Sequence, residues 1–271
     1  MQLMNTRQPW AAVLSLMNRS TLGSASLAIL FLAAWQWLPG LMGVPEFVLP
    51  KLSRCVAELQ TMWSQSELMR HTGITALEIV VGFVLGSLLG VAVGVGLGLS
   101  PRAESILSPY ILALQIAPKV AFAPLFVMWL GYTVYPKILV AILIVFFPVL
   151  INVLSSMRTM DVDLINLARS FSATRMQVFS MVEYPTTLPA LFSGLRIAST
   201  LAVIGVVVGE LVGGNQGLGY MLVFFEGQGN TAASFVVIAA LTVIGIVAYY
   251  AEVLAEKRVL HYLPSAERRV A

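Results

Sequence analysis

Five polar side chains stand inside otherwise apolar runs of this chain: Gln115, Lys119, Asn152, Glu210 and Tyr220. Polar and ionisable groups at membrane depth are costly, so each marks either a route for a polar solute or a hydrogen bond between helices. Lys119 is the most demanding. It lies in IAPKVAFAPLFVMWLG beside Pro118, with Pro124 following. Prolines break the helical ladder, so the lysine is either a pathway or gate residue or a structural charge bonded to the freed carbonyls. Other chemistry lacks its residues. There is no G-x-x-x-x-G-K-[ST] phosphate loop, no H-E-x-x-H, no acidic cluster at metal-ligand spacing and no cysteine pair. His71 and His261 lie at the ends of apolar runs, so no histidine is placed to serve a hydrolase at membrane depth. The chain reads as no enzyme, with no cofactor or metal of its own.

The elements that carry these residues are membrane helices. Of 271 residues, 58% are hydrophobic and 11% charged. A bilayer core of about 30 Å needs roughly 20 apolar residues of helix, and six runs qualify: 22–44, 75–99, 106–131, 137–157, 188–212 and 232–254. The first is too long for the core of a signal peptide and reads as an uncleaved span. Six spans put both termini on one side, with Arg7, Arg19, Arg102, Arg158, Arg169, Arg175, Lys257, Arg258, Arg268 and Arg269. Lys51, Arg54, Arg70 and Lys137 fall on the other. The positive-inside rule makes the first side cytoplasmic. Cys55 is the one cysteine, which excludes an internal disulfide.

Three further patterns stand out. Gly82, Gly86, Gly90, Gly94 and Gly98 recur every fourth residue of the second span, a ladder that lets a neighbouring helix approach closely. After Pro50, the residues Val56, Leu59, Met62 and Trp63 make an apolar stripe for a short helix on the outer membrane surface. The Gly-rich loop after Glu210 has no lysine or Ser/Thr of a phosphate loop.

The longest polar stretch is RTMDVDLINLARSFSATRMQVFSMVEYP, residues 158–185. Asp161 or Asp163 can cap a helix with Leu164, Leu167, Ala168 and Phe171 on one side. Ser172 and Ala173 make a turn, and Thr174 with Gln177 fits a capping box opening a second helix through Met176, Phe179 and Val182. Pro185 is expected to stop that helix. Arg169 and Arg175 lie on other sides. The apolar side either seats a partner or packs beneath the protein's own spans.

This stretch and its sequel, DLINLARSFSATRMQVFSMVEYPTTLPALFSGLR, resemble the cytoplasmic "EAA" loop of binding-protein-dependent ABC transporter permeases. PKVAFAPLFVMWLGY and AVIGVVVGELVGGNQGLGYM resemble the subfamily importing nitrate, sulfonates, taurine and pyrimidine-type vitamin precursors, and the likeness covers about residues 66–260. The resemblance implies an all-α membrane protein of about six spans, with a type I importer (MetI-like) core and a cytoplasmic coupling helix pair. Residues 1–65 would form a cytoplasmic tail, first span and external amphipathic segment; 66–260 the permease domain, its coupling loop at about 158–187; and 261–271 a cytoplasmic tail. Asn166, Leu167 and Ala168 stand where the family has Glu-Ala-Ala, and Ser172, Ala173 and Thr174 where it has Gly-Ala-Ser. Leu188-Pro189 and Gly194-Leu195-Arg196 also match. A serine in place of the glycine gives up easy access to positive φ.

The resemblance implies a coupling loop that seats on a cytoplasmic ATPase through Asp163, Leu164, Asn166, Leu167, Ala168, Arg169, Phe171, Ser172, Ala173, Thr174 and Met176. ATP would be bound by that partner. It also implies a second permease copy, by default identical, and an extracytoplasmic solute-binding protein, all at a bacterial inner membrane. The solute would be a small organic molecule such as a pyrimidine precursor, a sulfonate or taurine, or nitrate; Glu78 in TALEIVVGF leans towards the heterocycles. A self-contained secondary transporter is the alternative, but it would favour paired intramembrane acids and an inverted repeat, and the sequence displays neither. A non-transporting scaffold leaves Lys119 without a reason.

Overall fold

A computed structural model describes residues 9–262, with side chains from residue 23 onward. Arg7, Arg268, Arg269 and most of the expected C-terminal tail lie outside the described residues. Every described element is helical. Helix α1 (Pro9–Leu41) leads through an irregular turn to α2 (Leu52–Ser64), then α3 (Glu67–Gly98). Next come α4 (Pro101–Ile116), a 3-10 turn at Lys119–Phe122, and α5 (Ala123–Leu130). Helix α6 (Tyr135–Arg158) precedes the short pair α7 (Val162–Ser170) and α8 (Arg175–Val178). Helices α9 (Tyr184–Gly213), α10 (Leu218–Gly227) and α11 (Thr231–Val259) complete the order. Among the described residues, five helices are long and apolar enough to cross a membrane, or six if the broken α4–α5 pair counts as one span.

The core forms around α6, whose inner face is β-branched: Val145, Val149 and Val153 are buried with Ala141. The glycine ladder of α3 meets this row rung by rung. A Cβ at Gly82 would lie 2.5 Å from Ala141 Cβ, one at Gly86 2.8 Å from Val145 Cγ1, and one at Gly94 3.0 Å from Val153 Cβ. Hydrophobic exclusion does not drive helices together in lipid. Close van der Waals packing does, and the missing side chains admit it. Helix α9 closes the other side in the same way: a Cβ at Gly205 would sit 2.7 Å from Ala141 Cα, and one at Gly209 2.6 Å from Lys137 Cα. The expected ladder is therefore an α3–α6 interface, and α6 is clamped between two glycine-bearing helices.

Other parts sit more loosely. Helix α1 is tied to α2, where Trp35 Nε1 donates to the Pro50 carbonyl at 3.0 Å and Ser53 N–H donates to Gln36 Oε1 at 2.9 Å. Helix α2 forms as the apolar stripe predicts. It buries Met62 and Cys55 against α11, while Val56, Leu59 and Trp63 stay exposed. Burial pushes the Cys55 thiol above its ordinary pKa. The third span is not one helix: α4 and the segment through α5 meet at 81°, broken where Pro118 removes a donor.

Two expectations about the polar stretch need correction. Pro185 does not end the second short helix. A π turn at Phe179–Glu183 joins α8 to α9, and Pro185 follows it within the first turn of α9, inside one continuous helix. Glycine is also not required at the turn: Ser172 adopts φ +56°. Its N–H donates to the Arg169 carbonyl at 2.8 Å, and Ala173 N–H donates to that of Ala168 at 3.2 Å, a Schellman closure with serine at the left-handed position.

Candidate functional site

The α7–α8 pair is built by local capping. Asp161 caps α7, accepting from Asp163 N–H at 2.8 Å. The Thr174–Gln177 box forms in both directions: Thr174 N–H donates to Gln177 Oε1 at 2.8 Å, and Gln177 N–H to Thr174 Oγ1 at 3.4 Å. Met160 and Val178 are buried and anchor the ends. Between them Leu164, Leu167, Phe171 and Met176 are exposed, Phe171 to 80% and Met176 to 72%. The apolar side thus does not fold back under the chain's own spans. Asp163, Asn166, Arg169 and Ser172 are exposed around it, as is Thr174, with Ala168 and Ala173 half-buried. Arg175 fixes the pair to the core by donating to the Leu99 carbonyl at the end of α3, at 2.9 Å. Arg158, at the end of α6, is ion-paired with Glu104 of α4 and donates to Ser108 Oγ at 3.1 Å.

The five intramembrane polar residues separate into two places. Gln115, Lys119 and Asn152 line one cleft of about 510 Å³, with Val120, Ile144, Phe147, Pro148 and three α9 residues, Ile197, Leu201 and Ile204. Lys119 Nζ donates to the Gln115 carbonyl at 2.6 Å and stands 4.7 Å from the centre of the Phe147 ring. Asn152 Nδ2 donates to the Pro148 carbonyl at 2.8 Å, leaving its Oδ1 towards other partners.

Glu210 and Tyr220 belong elsewhere, in a buried cluster at the opposite end from α7–α8. Glu210 is 1% exposed; its Oε1 accepts from Thr75 Oγ1 at 2.7 Å and its Oε2 from Gly219 N–H at 2.6 Å. Thr75 Oγ1 accepts in turn from Leu218 N–H at 2.8 Å, and His71 Nδ1 accepts from Gly217 N–H at 2.9 Å. Tyr220 stacks on His71 with ring centres 6.1 Å apart. The Gly-rich loop is thereby explained. Gly217 has φ +106°, and a Cβ there would fall on the Glu210 carboxylate.

Lys137, expected among the loop cations of the outer side, is 1% exposed in this same cluster. It donates to Glu78 Oε1 at 2.9 Å and to the Gln216 carbonyl at 3.1 Å. A long side chain next to a helix start can reach inward when a carboxylate awaits it. Glu78 and Glu210 neighbour one another, so intramembrane acids are paired after all. Nothing in the sequence joins Glu78 to Lys137, 59 positions apart. Only the α3–α6 register that the glycine ladder sets brings them together.

Long helices clamped face to face, a broken span beside a polar-lipped cleft, and a protruding helix pair define a multi-pass α-helical transport protein. The chain belongs to the family described as binding-protein-dependent transport system inner membrane component, whose model matches residues 82–261. It is similar to the riboflavin transport system permease protein RibX of Chloroflexus aurantiacus, 38% identical over 89% of this chain and 90% of that one. It is also similar to the putative aliphatic sulfonates transport permease protein SsuC of Bacillus subtilis, 33% identical over 89% of this chain and 87% of that one. Its fold matches a chain of the MetNI methionine ABC transporter in an inward-facing form, with TM-score 0.60 and 21% identity over 74% of this chain and 98% of that one. It is a non-catalytic membrane subunit of an ABC importer, a class that works with an ATPase and a substrate-binding protein.

Proposed function

We propose that this chain forms half of a solute pathway in a bacterial inner membrane and couples it to a separate cytoplasmic ATPase through α7–α8. The exposed apolar face of Leu164, Leu167, Phe171 and Met176 carries the reading. Four large apolar side chains on a capped, rigid pair at the water-facing end are the anchors a helix-in-groove contact uses. ATP-driven closure of two ATPase subunits would draw the pairs together, and the clamped α3–α6–α9 core would turn with them. ATP itself would stay on the partner.

The loop-bearing end is taken as cytoplasmic. Arg102, Arg158, Arg169, Arg175, Lys257 and Arg258 lie there, and burial of Lys137 leaves Lys51, Arg54 and Arg70 at the other end. A second permease copy, by default identical, would cover α4, on which one chain buries no residue. The relatives' names span a flavin and aliphatic sulfonates, so the solute class is a small organic molecule.

Leu167→Asp and Phe171→Asp place a charge in that contact and are expected to abolish co-purification of the ATPase while leaving membrane insertion unchanged. Recovery of both variants with the ATPase at normal yield would overturn the coupling role.

A further inference from the structure

We propose that the Lys119 cleft binds the oxyanion group of a small organic solute, a sulfonate or carboxylate whose organic body lies along the cleft's apolar wall. The inference rests on the permease reading above and adds a charge requirement to it.

The first observation is charge balance. Two other cations along the long helices are ion-paired: Lys137 meets Glu78 and Arg196 meets Glu256. Lys119 meets none among the described residues, and no Asp or Glu lines its cleft. Lys119 is half-buried at the break, and a cation there without a counter-charge favours a negative group.

The second observation is donor count. An ammonium carries three hydrogens, and the one hydrogen bond the structure gives Lys119 goes to the Gln115 carbonyl. That bond caps the C-terminal end of α4 and pins the nitrogen at the break. The Phe147 face at 4.7 Å holds it from a second side. The position is fixed, yet donors remain for a ligand.

The third observation is the surroundings. Ile144, Ile151, Ile197, Leu201 and Ile204 supply a hydrocarbon wall, while Gln115 and Asn152 add polar groups beside the ammonium. One cation with neutral hydrogen-bonding groups at one end and an apolar wall along the rest matches an amphiphilic anion. Inorganic anions would leave the wall unused.

The test uses charged thiol reagents on the full permease assembled with its ATPase. Cys55 is buried and its thiol is held above the usual range, so it contributes little background. Ile197→Cys reports from the cleft wall, and Ile238→Cys, in a groove without a lysine, gives the intrinsic reagent ratio. The probes are anionic 2-sulfonatoethyl methanethiosulfonate and cationic 2-(trimethylammonium)ethyl methanethiosulfonate. The anion-to-cation rate ratio is expected to be about tenfold higher at Ile197→Cys than at Ile238→Cys, and to shrink as salt is raised. Lys119→Met should remove the preference and Lys119→Arg should keep it. Excess ethanesulfonate should slow the anionic reagent at Ile197→Cys in the protein with native Lys119. Equal ratios at the two reporters, a preference that survives Lys119→Met, or no protection by ethanesulfonate would each overturn the proposal. Labelling reads the cleft without requiring ATP turnover. A failure here therefore leaves the coupling test standing, and a failure of the coupling test leaves the labelling result intact.

Discussion

Replacing Gly90 by alanine tests whether the α3–α6 interface holds the core together. A Cβ at Gly90 would lie 2.8 Å from the Phe146 carbonyl oxygen and 2.9 Å from Val149 Cβ, where ordinary contact begins at 3.4 Å. The obstacle is backbone and a β-carbon, so no side-chain rotation relieves it. The helices must part by the difference, 3.4 − 2.8, about 0.6 Å, and a gap of that order forfeits roughly a quarter or more of the dispersion energy of each neighbouring contact. Those neighbours are the Gly86–Val145 and Gly94–Val153 rungs, where both valines are fully buried. The expected loss is about 1–3 kcal/mol, the usual range for overpacking. Gly96 is the control on the same helix. Nothing lies within 4 Å of its Cβ position, so Gly96→Ala should be neutral or gain up to about 1 kcal/mol from helix propensity. Equilibrium unfolding of the purified permease by SDS in mixed micelles reads both. If Gly90→Ala proved as stable as Gly96→Ala, the ladder would not be a packing device.

Two other perturbations follow from buried or strained groups. Glu78→Gln removes the counter-charge of the Lys137 ammonium at 1% exposure and leaves it neutral acceptors alone; it should cost about 3 kcal/mol, the low end for breaking a buried pair. Adding Lys137→Met to Glu78→Gln should recover part of that loss, because the uncompensated ammonium is then gone; no recovery in the same SDS assay would refute this account of the cluster. Ser172→Gly relieves a left-handed residue at φ +56° and should raise thermal stability by up to about 1 kcal/mol with ATPase association retained; a lowered melting temperature would show that the serine makes a contact worth more than the strain.

What could be read from the sequence was what depends on neighbours in the chain. Five of the spans, the α2 stripe and the capped helix pair rest on local periodicity and capping chemistry and appear; the third span is broken beside Pro118. The Thr174–Gln177 box forms in both directions because both partners lie within one turn. Pro185 misled because its rule assumes ordinary helical registration upstream; a π turn at Phe179–Glu183 offers another route, and no residue there announces it. The side on which Leu164, Leu167 and Phe171 would be covered also needed the fold, since an amphipathic pattern says that a face exists without saying what meets it.

Lys119 and Lys137 show why the candidate site was only half legible. Each lysine follows a proline, but local sequence sets Lys119 inside the third span and Lys137 among the outer-side cations. Their difference lies in which helix stands opposite. The α3 ladder brings α6 close enough for Glu78 to reach Lys137, and the cluster consumes that charge in holding the loop at Gly217 and Gly219 over Glu210. The 81° break turns Lys119 towards α6 and α9 at a level where those helices offer Phe147, Asn152 and aliphatic groups but no acid. One register thus makes a locked structural pair of the first lysine and leaves the second with a charge to share. Since the same close packing fixes both outcomes, loosening it at Gly90 should weaken the Glu78–Lys137 pair while leaving Lys119 with no carboxylate to meet.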